Sequence, residues 1–155
     1  MRKLVLALGA TAALMTISAT AMAQSVKVTP LGSHDGEFCI FDRAMLFEDP
    51  DGTRILYDAG RTVAGAEDPR LGKVDAVLGS HMHGDHVGDR HIAGVNSGEC
   101  GKPDLSVVDA PNTNVVNIAL ATNAAIVTGS EMPAFFGNKL KMLGGDPKKS
   151  QLVRF

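Results

Sequence analysis

The sequence predicts an α/β (α+β) domain, a mixed β-sheet with flanking helices. Three kinds of pattern point to it: short stretches of strand period closed by turn residues, one apolar stretch that ends in a polar cluster, and two later segments of helical period. The first strand is expected at Val26-Lys27-Val28-Thr29, where apolar and polar residues alternate. Leu31 to Gly36 reads as a loop. Phe38 to Phe47 and Thr53 to Tyr57 flank the turn signal Asp49-Pro50-Asp51-Gly52, so the two segments predict a β-hairpin. The second arm of that hairpin runs into Asp58-Ala59-Gly60, placing a carboxylate at a strand end beside a flexible residue.

Asp68-Pro69-Arg70-Leu71 reads as a short helix or turn, with proline suited to a first helical turn. Val74 to Gly79 is apolar at most positions, as a central strand covered on both faces would be, and it delivers Ser80 and a histidine cluster to its C-terminal end. In layered α/β folds that end is where ligand sites gather. Asn112 to Ala121 carries apolar residues at helical spacing, and Ala125 to Thr128 reads as a further buried strand. Gly129-Ser130-Glu131 opens a second helical segment, Met132 to Leu143, closed by Gly144-Gly145 and Pro147. Within it, Met132, Phe135, Phe136 and Leu140 predict a core-facing stripe. Gln151 to Phe155 reads as the start of a strand.

Composition bounds the partners. At 45% hydrophobic and 21% charged residues the 155-residue chain has the balance of a globular protein, and one domain is the expectation. Its formal net charge of −2 comes from interleaved acidic and basic residues, which leaves no basic stripe for a phosphate backbone. With no Trp and one Tyr it also lacks stacking platforms for bases, so a nucleic-acid partner is not expected. Residues 1–23 have the form of a signal peptide. Arg2 and Lys3 precede an apolar run from Leu4 to about Ala19, and Ala21-Met22-Ala23 provides small residues before a cleavage point at Gln24. The alternative, a membrane anchor, needs a longer apolar run than this one, so no membrane attachment is expected after cleavage. Export places residues 24–155 in the periplasm or outside the cell, an oxidising setting in which Cys39 and Cys100 either form one disulfide or remain as two buried thiols.

The chemistry is concentrated in Ser80-His81-Met82-His83-Gly84-Asp85-His86. Imidazole nitrogen and carboxylate oxygen are the donors that Zn²⁺ and related ions prefer, and a short loop can wrap several of them around one or two ions. A chance H-x-H-x-D-H match in a chain of this composition has a probability of roughly one in a few thousand. The alternative reading of these four residues is a solvated loop that happens to be rich in histidine. Elsewhere, His34 is read as a surface loop residue, Asp89 as a capping group, and His91 as lying at the start of a helix.

The motif H-x-H-x-D-H after a buried strand, with Leu56-Tyr57-Asp58-Ala59-Gly60 upstream, resembles the N-terminal half of the metallo-β-lactamase superfamily. The string Ser80 to Asp89 with Gly129-Ser130-Glu131-Met132-Pro133 downstream is similar to the exported hydrolases of that superfamily. The resemblance implies half of an αββα sandwich, with His81 and His83 on a first Zn²⁺, Asp85 and His86 on a second, and Asp85 orienting the attacking water as the catalytic residue. Asp58 would steady the metal loop from behind, the alternative being a turn residue at a strand end. The implied activity is hydrolysis of an ester, lactone, amide or phosphodiester bond by metal-activated water. Family members add a later histidine, a bridging aspartate and a final histidine, whereas no histidine follows His91 in this chain. The expectation is therefore a partial domain over 24–155, truncated at its C-terminus, in which each ion meets two matched ligands. A non-catalytic exported metal-binding protein is the alternative.

Overall fold

A computed structural model describes residues 25–34, 38 and 42–153. The expected signal peptide and Cys39 lie outside the described residues. Cys100 is disulfide-bonded, so of the two states considered for it the oxidised one is present.

A six-stranded mixed sheet forms the centre, built from β1 (Lys27–Pro30), β2 (Met45–Glu48), β3 (Arg54–Tyr57), β4 (Ala76–Gly79), β9 (Ala125–Thr128) and β10 (Ser150–Leu152), in that spatial order. The hairpin predicted around Asp49 to Gly52 is present: β2 and β3 are antiparallel, with Leu46 opposite Leu56 and Glu48 opposite Arg54. Strands β3, β4, β9 and β10 then run parallel to one another. Their C-terminal ends consequently lie along one edge, where Asp58 follows β3 and Ser80 follows β4.

Between β4 and β9 come α1 (Gly84–Val87), the paired short strands β5 (Arg90–His91) and β8 (Val107–Val108), the tight hairpin β6 (Gly98–Glu99) and β7 (Lys102–Pro103), and α2 (Asn114–Thr122). Helix α3 (Met132–Met142) and a single 3-10 turn at Pro147–Lys149 join β9 to β10. Thr113 caps α2 by accepting a hydrogen bond from the Val116 N–H, and Asn123 ends the helix in a left-handed conformation.

The period of two in the strands sorts the sheet into unlike faces. Leu46, Leu56, Val77 and Ile126 share one face, are fully or almost fully buried, and join one core with Val115, Val116, Ile118, Phe136 and Leu140 from the helices. Each such side chain contributes about 1.5–3 kcal/mol by leaving water. The opposite face presents Val28, Phe47, Ile55 and Leu78, all partly exposed. Among the described residues the central strand is therefore fully covered on one face and partly on the other. In α3, Phe136 and Leu140 are buried while Phe135 is 37% exposed, which narrows the expected four-residue stripe. Asp68 to Leu71 forms turns, and Arg90–His91 form a strand where a helix start was expected. The reason is long-range pairing: the Asp109 N–H donates to the Asp89 carbonyl and β5 pairs with β8. No helix among the described residues is long and apolar enough to cross a membrane.

One buried ion pair closes the loop between β3 and β4. Arg70 donates through Nε to Asp68 Oδ1 at 2.9 Å and through Nη2 to Asp68 Oδ2 at 2.6 Å, and it also reaches the carbonyls of Gly32 and Thr62. Burial pushes the Asp68 carboxyl up, but hydrogen bonds from Arg70 and the Ala64 N–H, with the guanidinium charge, outweigh it and hold the pKa below its ordinary 3.8. The unfolded chain thus takes up this proton at higher pH than the native chain does. The stabilisation is whole above about pH 3.8 and is lost as pH falls through the depressed native value. Replacing Asp68 by Asn leaves the guanidinium uncompensated; urea unfolding at pH 7 is expected to show a loss of roughly 3 kcal/mol. The variant should also lose less stability than the parent on acidification below pH 3.8.

Candidate metal centre

The candidate centre is organised from behind by Asp58, whose side chain is fully buried. Asp58 sits just past β3 with φ 49°, a left-handed turn conformation, and its own N–H donates to the Leu78 carbonyl on β4. Its Oδ1 accepts from the Ser80 N–H at 2.8 Å. Its Oδ2 accepts from the Ser80 hydroxyl at 2.8 Å and faces His86 Nδ1 at 2.6 Å. Asp58 thus lies at a strand-end turn and contacts both Ser80 and His86 of the histidine loop.

Protons can be assigned along this chain of contacts. An ionised carboxylate only accepts, so His86 Nδ1 carries the proton it shares with Asp58. Ser80 gives its one hydroxyl proton to Asp58, and His81 Nδ1 lies 3.0 Å from the same oxygen. That contact is satisfied when His81 Nδ1 donates. Both rings in their neutral form then have Nε2 bare. This is the tautomer that a metal-ligating histidine adopts when its other nitrogen is held by a neighbouring acceptor.

The loop's rings meet. The His81 and His86 ring centroids are 3.9 Å apart, and those of His81 and His83 are 4.5 Å apart in an edge contact. Asp85 Oδ2 lies 3.4 Å from His86 Nε2. A carboxylate facing a bare imidazole nitrogen places two lone pairs against each other, an arrangement relieved by a cation between them or by a proton on Nε2. His83 is exposed and begins the single turn of α1 as its N-cap. The turn ends at Gly88 in a left-handed conformation and is anchored by buried Val87. The residue types and the tautomers fit a divalent ion such as Zn²⁺. Among the described residues, however, no three His, Cys, Asp or Glu side chains converge as a complete ligand set would.

The two histidines outside the motif are engaged elsewhere. His34 contacts Asn96 Oδ1 at 3.2 Å and the Gly98 carbonyl at 2.7 Å. His91 is buried, with Nδ1 2.7 Å from the Ile92 carbonyl and Nε2 3.2 Å from Asp109 Oδ2. Asp89, read from sequence as a helix cap, instead lies 3.5 Å from Arg61. Glu131 is the N-cap of α3 but makes no side-chain capping bond.

Asn114 is the residue that sequence reasoning missed. Buried at the first turn of α2, it donates from Nδ2 to the Gly60 and Val63 carbonyls, and its N–H donates to the Gly88 carbonyl. It thereby ties the segment after β3 to the end of the histidine loop. A lone polar residue heading an apolar helix was the available signal, and the adjacent Thr113 accounts for the cap. No family model matches the chain, and no curated protein matches it either.

Two outcomes follow from this geometry. Changing Asp58 to Asn removes the acceptor that holds the His86 proton on Nδ1, and ¹⁵N NMR of the imidazoles in metal-free protein is expected to show His86 leaving the single Nδ1–H tautomer. Changing Gly60 to Ala would drive a methyl group into the Asp85 backbone carbonyl. An overpacked contact costs about 1–3 kcal/mol or more, so the thermal midpoint should fall by several degrees.

Proposed function

We propose that the chain is a zinc-dependent hydrolase unit of the metallo-β-lactamase type, exported to the periplasm or beyond the cell. The observation that carries this reading is the paired support of His81 and His86: both rings have Nδ1 occupied by Ser80 or Asp58, which leaves Nε2 of each as the metal-binding nitrogen, and Nε2 of His86 lies 3.4 Å from the Asp85 carboxylate. The motif's place at the C-terminal edge of parallel strands supports it as well. So does the open apolar face formed by Val28, Phe47, Ile55 and Leu78, because a sandwich partner sheet would cover such a face.

On this reading His81 and His83 hold one ion and Asp85 and His86 a second. When bound, zinc supplies a water whose pKa lies near neutrality and polarises the carbonyl or phosphoryl group under attack. The chain's own contributions are positional. Asp85, the catalytic residue, accepts a hydrogen bond from the attacking water and aims it. Asp58 and Ser80 keep the imidazoles in the donor tautomer, and Asn114 keeps the loop against the body of the domain. The substrates are small molecules carrying an ester, lactone, amide or phosphodiester bond.

A second reading, a non-catalytic exported metal-binding protein, is favoured by one observation: among the described residues no three of the candidate donors converge. Catalytic zinc is usually held by three protein ligands. The two readings share metal binding and part at turnover. Purified protein incubated with stoichiometric Zn²⁺ and desalted is expected to retain the metal, and the His81→Ala, His83→Ala double variant is expected to lose it. Equal retention by parent and variant would overturn both readings. Zinc-dependent cleavage across a panel of lactam, lactone, thioester and phosphodiester substrates selects the hydrolase, and retention without cleavage selects the binding protein.

A further inference from the structure

Beside Asp85 lies a pocket of about 470 Å³, lined by Arg61, Asp85, Gly101, Lys102, Pro103 and Leu105. That volume is in the range of small-molecule sites. Its wall has two parts. One is formed by the hairpin of β6 and β7, which turns at Gly101 with φ 74° and brings Lys102, Pro103 and Leu105 opposite the histidine loop. The other is Arg61, which directly follows the Asp58-Ala59-Gly60 segment.

The two cations are placed differently. Arg61 has a partner at one end: its Nη2 is 3.5 Å from Asp89 Oδ1, while its Nε is buried without a hydrogen-bond partner among the described residues. A buried guanidinium N–H without an acceptor is costly, so the site gains when an acceptor arrives. Lys102 is exposed, and no carboxylate among the described residues lies within ion-pair distance of it. Pro103 and Leu105 add apolar surface next to these charges. A pocket with two cations, an apolar strip and the catalytic carboxylate at one end is suited to a molecule with an anionic group and an apolar body.

We infer that Arg61 and Lys102 receive an oxyanion group of the substrate, a carboxylate or a phosphate, while Pro103 and Leu105 cover its apolar portion and the bond to be cleaved lies toward Asp85. Arg61 and Lys102 are thus positioning residues that select anionic over neutral substrates. The inference rests on the hydrolase reading for what happens at Asp85, but the anion site itself is measured without metal or turnover.

The test titrates benzoate, phenyl phosphate and benzyl alcohol into the full metal-free chain, followed by ¹H–¹⁵N correlation spectra. The anions are expected to shift the signals of Arg61, Gly101 and Lys102, and benzyl alcohol to leave them in place. Lys102→Gln, at an exposed position, and Arg61→Gln are each expected to weaken anion binding about fivefold, the scale of one partly solvated charge pair. Tighter binding of benzoate assigns a carboxylate as the recognised group and tighter binding of phenyl phosphate assigns a phosphate, either of which supports the inference. Equal shifts with benzyl alcohol, absence of shifts at these residues, or unchanged anion binding in both variants would overturn it. Zinc retention is measured on the same samples. Retained zinc without anion binding overturns this inference alone, and anion binding without zinc retention overturns the hydrolase reading alone.

Discussion

The arrangement of the centre depends on a carboxylate that has no contact with water. An ionised Asp58 in the interior would be strongly unfavourable unless its lone pairs were occupied, and they are filled by the Ser80 N–H, the Ser80 hydroxyl and His86. Those donors come from the strand end beside it and from six residues further along the loop. The cost of burying Asp58 and the position of the imidazoles are therefore one quantity. The loop cannot drift from its place without stranding a buried carboxylate, and His86 cannot change tautomer without losing its contact to it.

Such an anchor works only if the backbone segments approach closely, which explains the small residues around it. Gly60 lies where a methyl group would overlap the Asp85 carbonyl, and Gly88 lies where one would overlap the Asn114 side chain. At Gly88 the left-handed backbone, φ 69°, adds a second reason for glycine. With both contacts closed, Asn114 can reach the Gly60 and Val63 carbonyls while Val87 plugs the loop into the core. Packing behind the loop thus does the same work as the hydrogen bonds: it removes freedom from residues that would otherwise belong to a mobile connection.

Much of this was legible in the sequence because it is locally encoded. The strand period at Val26 to Thr29, the turn at Asp49 to Gly52 and the apolar runs at Val74 and Ala125 each appear as strands within a residue or two of the expected bounds, and both long helices lie where apolar spacing put them. What was not legible is what distance decides. Residues 89–91 pair with residues 107–109, so a segment read locally as a helix start became a strand, and His91 was drawn inside to face Asp109. The pairing of Arg70 with Asp68 and the Gly32 carbonyl likewise lies outside what the local pattern of a short helix or turn shows. The unequal cover of the two faces of β4 was also invisible, because an apolar strand reads the same whether one face or both are packed.

The topology also accounts for why, among the described residues, no three candidate donors converge. Three parallel strands, β3, β4 and β9, end at the same edge, and a full ligand set in such a fold draws on several strand ends. Here the end of β3 contributes Asp58, which faces inward and is consumed by Ser80 and His86. The end of β9 contributes Gly129, Ser130 and Glu131, with Glu131 at the N-cap position of α3 and making no side-chain capping bond. The four donors of the motif all come from the single loop after β4. Within that loop His83 opens a one-turn helix and Asp85 and His86 lie on it, so backbone geometry spreads their side chains around a short axis rather than toward one point. A loop of this kind presents donors to a cation, and closing a coordination sphere around that cation requires groups from another strand end or from the substrate itself. On the proposed reading, the cationic pocket alongside Asp85 is where an anionic substrate would supply them.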